Sequence, residues 1–181
     1  MEKTVLVTGA TGTIGRDLAK ILSENEVPVR AGVRDQAKAR KQFGADIALA
    51  TFDFEDAASF PDALKDVEKV FLLPPLIPNQ VAMANAFIDA TKRAGVRHIV
   101  KLSVIGADTD PPFTFGKWHA ASDQRVRESG LAFTFLRPNS FMQNFINYFP
   151  PRAMARFICR GETVERALSI RATSQLSPPR H

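Results

Sequence analysis

The chain opens with a repeating pattern: a short apolar run, a turn, then a longer stretch with apolar residues three and four apart. Lys3–Thr8 is a run of β-formers that leads into Gly9-Ala10-Thr11-Gly12-Thr13-Ile14-Gly15. Ile14, Leu18, Ala19, Ile21 and Leu22 follow at helical spacing with charges between them. Val27–Val33 predicts a second strand and residues 36–43 a helix. Ile47–Thr51 predicts a third strand, and residues 56–64 a short helix. Val70–Leu73 reads as a buried strand closed by Pro74-Pro75. Residues 79–94 carry Val81, Ala84, Phe87, Ile88 and Thr91 at helical spacing and stop at Gly95. His98–Ser103 predicts a fifth strand, residues 115–129 a helix ended by Gly130, and Leu131–Leu136 a sixth strand halted before Pro138.

Strands that alternate with helices in this way predict an α/β fold, a Rossmann-type doubly wound parallel sheet with helices on both faces. Right-handed crossovers and a glycine turn after the first strand favour the strand order 3-2-1-4-5-6. Ligands of such sheets bind over the carboxyl ends of the strands. The loops to read are therefore 9–15, 34–38, 53–54, 74–80, 103–118 and 137–144.

Composition adds limits to this picture. The 181 residues, 45% of them apolar, suit one globular domain. No apolar run reaches the ~20 residues that span a bilayer. The start enters the first strand directly, without the regions of an export signal, so the expected location is cytoplasmic. A single Cys159 excludes an internal disulfide framework. The scattered histidines do not suggest a metal site. The net charge of +5 is a property of the tail: residues 152–181 hold 6 of the 24 Lys/Arg and 2 of the 19 Asp/Glu. Without interleaved aromatic residues or a recognition motif, a nucleic-acid partner is not favoured. The expected organisation is a nucleotide-binding domain over 1–149 and a basic tail over 150–181, disordered or forming a short helix.

The glycine turn carries the first chemical reading. A strand, a G-x-x-G-x-x-G turn and a helix in that order form the context for dinucleotide binding; an ordinary glycine-rich turn is the alternative. Gly9 would turn the chain sharply. Gly12 would let backbone approach a pyrophosphate, and Gly15 would let the helix pack close to the sheet. The free amides of the helix start would face the phosphates. After the second strand, Arg34 suits the 2′-phosphate of NADP, with Lys38 one turn on, so NADP(H) is favoured over NAD(H). Asp35 would either face a ribose and favour NAD or cap the following helix. Asp53 and Phe54 would flank an adenine, unless Asp53 caps the next helix. Pro74 and Pro75 offer shape and carbonyl groups or simply end a strand.

Ser103 ends the fifth strand, where the nicotinamide would lie. A serine here commonly works with a tyrosine acid and a lysine four residues later. The only tyrosine is Tyr148, and the eligible pairs are Phe115 with His119 or Phe113 with Lys117. Phenylalanine has no proton to give. His119 and Asp123, four apart on a helix, would pair, making His119 either a general acid or an orienting histidine.

The segments VTGATGTIG (7–15), GVRD (32–35), AGVRHIVKLSVIGA (94–107), HAASD (119–123) and RESGLAFTFLRPNSFMQN (127–144) follow one another in an order that resembles the NmrA-like atypical short-chain dehydrogenase/reductases. That family includes quinone reductases, triphenylmethane-dye reductases and non-catalytic redox sensors. The resemblance implies that Gly9, Thr11, Gly12, Thr13, Ile14 and Gly15 hold the pyrophosphate and Arg34 the 2′-phosphate. It implies that Pro74, Pro75, Pro138, Asn139, Ser140 and Phe141 lie on the nicotinamide side. It also implies that a histidine at 119 and loss of the tyrosine are normal. The implied activity is NADPH-dependent reduction of a quinone- or dye-like acceptor; the alternative is a sensor acting through a regulatory protein partner. The resemblance ends after Tyr148, and a truncated or frame-shifted continuation is the expected reason.

Overall fold

The computed structural model describes residues 4–107 and 110–139, and the backbone of 171–175. The elements in chain order are β1 (Thr4–Val7), α1 (Thr13–Glu24), β2 (Val29–Val33), α2 (Gln36–Phe43) and β3 (Ala48–Thr51). A 3-10 turn (Ala57–Ser59) then leads into α3 (Phe60–Leu64), β4 (Val67–Leu72), α4 (Gln80–Arg93), β5 (His98–Leu102), α5 (Thr114–Glu128) and β6 (Ala132–Arg137). The last described element is β7 (Arg171–Gln175).

The sheet order is β3-β2-β1-β4-β5-β6-β7. The first six strands pair in parallel, as the sequence pattern predicts. β7 is the one described segment of the 150–181 tail. It pairs antiparallel with β6, Leu136 opposite Ala172. Without it β6 would present an open row of backbone donors and acceptors, and a strand laid there satisfies them.

Successive strand residues face opposite sides of the sheet, and each side has its own core. Leu6, Val70 and Leu72 join Phe60, Phe87, Ile88 and Val126 beneath α3, α4 and α5. Val7 and Phe71 join Ala19, Ala39 and Phe43 beneath α1 and α2. Phe52, Phe60 and Phe87 form an aromatic cluster in the first core, with ring centroids 4.9 Å apart for Phe52–Phe87 and 5.2 Å for Phe60–Phe87. The Thr8 hydroxyl fastens the carboxyl ends of β1 and β4 by donating to Phe71 O at 3.0 Å and accepting from Leu73 N at 2.9 Å. This fixes the edge from which the glycine turn leaves.

Candidate cofactor site

Gly9 has φ +63, in the left-handed region where glycine carries no side-chain penalty. The turn closes with Gly12 N–H donating to Gly9 O at 3.0 Å. Gly12 is the N-cap of α1, and neither a side-chain cap nor an acidic residue occupies the first turn. The first helical bond runs from Arg16 N–H to Gly12 O at 2.9 Å. The amides of Thr13, Ile14 and Gly15 therefore stand ahead of the helical ladder, in the arrangement that receives a phosphate. Thr11, Gly12 and Thr13 are exposed beside them. Gly15 is needed for a reason other than the expected one. A Cβ there would lie 2.7 Å from Gly9 C and 2.9 Å from Ala10 Cα. The close approach is between α1 and the turn's own backbone, not between α1 and the sheet.

Beyond β2, Arg34 and Lys38 are exposed. Asp35 is the N-cap of α2, its carboxylate accepting from Lys38 N at 2.9 Å. The two readings of Asp35 resolve towards the cap. Asp53 does not cap the next helical turn: its Oδ1 accepts from Glu55 N at 3.0 Å, and Asp56 takes the cap position by accepting from Ala58 N at 3.0 Å. Phe54 is half-buried, edge-on to Phe52 at 4.8 Å. Pro74 is buried after β4, and the Pro75 carbonyl accepts from Ile77 N at 3.1 Å. Pro138 O accepts from Ile105 N at 3.1 Å, tying the loops after β5 and β6. Asn139 is half-buried beside it, while Ser140 and Phe141 lie outside the described residues.

At the carboxyl ends of β5 and β6 the structure gathers a polar group that the sequence pattern gave only in part. Lys101 and Asp123 are both fully buried, with Nζ 2.7 Å from Oδ1. Ser103 Oγ donates to Asp123 Oδ2 at 2.7 Å, and Arg137 Nη2 lies 3.3 Å from the same oxygen. The expected His119–Asp123 pair is not made. Asp123 is engaged by Lys101, Ser103 and Arg137, and His119 Nδ1 faces Lys101 Nζ at 3.3 Å. Lys101 was legible only as an anomaly: it shares a strand face with Ile99, which is in the core, and a lysine there needs a partner.

These neighbours decide protonation. Burial, then the Lys101 charge, pushes the His119 pKa down to about 4, against an upward pull from Asp123. The imidazole is neutral at pH 7, so the general-acid role anticipated for it is not available there. Burial also lowers the pKa of Lys101, opposed by Asp123 and reinforced by Arg137 and Arg127. The sign for stability follows. The unfolded imidazole takes its proton near pH 6.5 and the folded one near 4, so the unfolded chain binds more protons in between. Stability falls as pH drops through that window. From pH 7 to 4.5 the chain should lose about 2 kcal/mol more than His119→Gln in urea melts. Equal losses would show that His119 titrates normally.

A rim of apolar side chains surrounds this edge. Leu76 after β4, Ile105 after β5 and Phe115 in the first turn of α5 are 64%, 42% and 43% exposed. Gly116 lets the preceding loop fold onto α5, since a Cβ there would lie 2.8 Å from Pro111 Cβ. The Phe113 and Phe115 rings lie tilted by 38° with centroids 4.4 Å apart. Among the described residues no helix is long and apolar enough to cross a membrane.

The sequence profile described as NAD(P)H-binding matches residues 9–164. The chain belongs to that family. An NAD(P)H azoreductase of Xenophilus azovorans is 44% identical over 144 residues, 80% of this chain and 50% of that protein. Quinone oxidoreductase 2 of Escherichia coli is 31% identical over 150 residues, 81% of this chain and 52% of that protein. The solved E. coli NADPH-dependent quinone oxidoreductase complexed with NADPH has a TM-score of 0.72 at 29% identity, covering 79% of this chain and 51% of that one. The Citrobacter triphenylmethane reductase complexed with NADP(H) shares the fold, with a TM-score of 0.72 at 23% identity over 79% of this chain and 52% of that one. The chain spans about half the length of the curated relatives it matches. The family match runs past Tyr148, where the resemblance was expected to stop.

Proposed function

We propose that this NAD(P)H-binding chain carries the cofactor side of an NADPH-dependent reductase of aromatic electron acceptors, of the quinone, dye or azo type. The observation that carries the cofactor reading is the glycine turn. Gly12 stands exposed at the uncapped start of α1, and Gly15 leaves no room for a Cβ where α1 meets the turn's backbone. A bound nicotinamide dinucleotide would supply a hydride. Gly9, Thr11, Gly12, Thr13, Ile14 and Gly15 would hold its pyrophosphate through backbone amides. Arg34, with Lys38 nearby, would hold a 2′-phosphate. The capping role of Asp35 supports this, because the carboxylate that would select a ribose 2′-hydroxyl is engaged on α2. Asp53 and Phe54 would flank the adenine. Pro74, Pro75, Ser103, Pro138, Asn139, Ser140 and Phe141 would border the nicotinamide. The apolar rim of Leu76, Ile105 and Phe115 favours a flat, apolar acceptor, in keeping with the azoreductase and quinone oxidoreductase names of the relatives. Those names favour turnover over the sensor reading.

Fluorescence titration with NADPH and NADH tests this. Tighter binding of NADPH is expected, and Arg34→Ala should weaken NADPH about tenfold or more while leaving NADH nearly unchanged, the scale of a charge-assisted hydrogen bond. Preference for NADH would remove the role of Arg34, and binding of neither would overturn the cofactor reading. NADPH oxidation with quinone and azo-dye panels tests the acceptor class.

A further inference from the structure

Lys101 has no place in the function just described, yet it is fully buried and bridges Asp123 and His119 beside Ser103. Its ammonium donates to Asp123 Oδ1 at 2.7 Å and sits 3.3 Å from His119 Nδ1. A lysine ammonium has donors and no acceptor. Against an ammonium held by the Asp123 carboxylate at 2.7 Å, Nδ1 can only receive, which would place the imidazole proton on Nε2. That nitrogen has no partner among the described residues, and the side chain keeps 9% of its surface exposed. Asp123 holds the far side of the arrangement. Its other oxygen takes the Ser103 hydroxyl at 2.7 Å and Arg137 at 3.3 Å, so the carboxylate cannot turn towards His119 without breaking both contacts.

We propose that Lys101 is a positioning residue: anchored on Asp123, it locks His119 in the Nε2–H tautomer, so that the ring offers one fixed hydrogen-bond donor to an electron-rich oxygen or nitrogen of the acceptor. His119 donates a hydrogen bond and transfers no proton, in keeping with a chain that has no tyrosine acid at the eligible positions. The charged groups facing the ring and its partner are Lys101 from β5, Asp123 and Arg127 from α5, and Arg137 from β6. The identity of the acceptor rests on the function proposed above; the tautomer does not.

The test is a long-range proton–nitrogen spectrum of the histidine side chains in the full chain labelled with nitrogen-15, at pH 7 and through an acid titration. His119 is expected as the Nε2–H tautomer, titrating near pH 4. In Lys101→Met, loss of the donor should admit the Nδ1–H form and move the titration upward. Nδ1–H in the unaltered chain, or a His119 signal unmoved by Lys101→Met, would overturn the proposal. Should Lys101→Met fail to fold, the unaltered chain's tautomer still decides. A second measurement compares turnover of a quinone by His119→Gln, which keeps an N–H near the ring tip, with His119→Phe, which has none. His119→Gln is expected to be faster by about tenfold to a hundredfold, below the full loss of an oxyanion donor. Equal rates in the two variants would overturn the donor role. Absence of turnover in the unaltered chain would count against the reductase reading and leave the tautomer result standing.

Discussion

Asp123→Ala is expected to destabilise the domain by about 3–5 kcal/mol, a large share of the stability of any single domain. The variant leaves the fully buried Lys101 ammonium without its carboxylate and takes the acceptor from Ser103 and Arg137 together. Removing one member of a buried pair costs far more than the pair contributes, because the remaining charge stays out of water. Urea denaturation followed by circular dichroism would read the loss directly. The double variant Lys101→Met with Asp123→Leu should recover only the share due to the stranded ammonium, since Ser103 and Arg137 still lose their acceptor. A single variant within about 1 kcal/mol of the unaltered chain would mean that water reaches the group.

Gly15→Ala should abolish measurable binding of NADPH and destabilise the domain as well. The new Cβ would meet backbone, with Gly9 C at 2.7 Å and Ala10 Cα at 2.9 Å, and backbone cannot swing aside as a side chain can. Either α1 lifts off the turn or the turn opens, and both displace the amides of Thr13 and Ile14. Such overpacking costs about 1–3 kcal/mol. Gly12→Ala separates the two effects. Its Cβ would touch only Gly9 O, at 3.3 Å, so the fold should survive while the methyl group stands where a pyrophosphate approaches. Melting curves and NADPH titration on both variants check this. A Gly15→Ala chain that binds NADPH normally would sink this reading of the turn.

Much of the fold is legible in the amino-acid pattern. The strand order β3-β2-β1-β4-β5-β6 follows from alternating strand and helix patterns and from crossover handedness. The glycine spacing located the phosphate turn. Less legible was what each residue touches. Asp35 has two roles open to it by position, and its carboxylate takes the cap on Lys38 N. Asp53 and Asp56 both precede the same helical turn, and local pattern cannot say which of two nearby carboxylates caps it. The β7 strand had no periodic signal of its own, because its partner is the distant β6.

The sequence by itself determined the local and repetitive features: the six parallel strands, the helices between them, the glycine turn, and the lack of a tyrosine acid at the eligible positions. These are set by spacing, by backbone freedom and by residue identity, all of which act over a few residues. Only the tertiary structure decided the protonation of His119, the burial of Lys101 and the company of Asp123. Those depend on groups brought together from β5, α5 and β6, and on the exclusion of water between them. A pKa and a tautomer are set by neighbours in space, and His119 has its decisive neighbour on a strand 18 residues away.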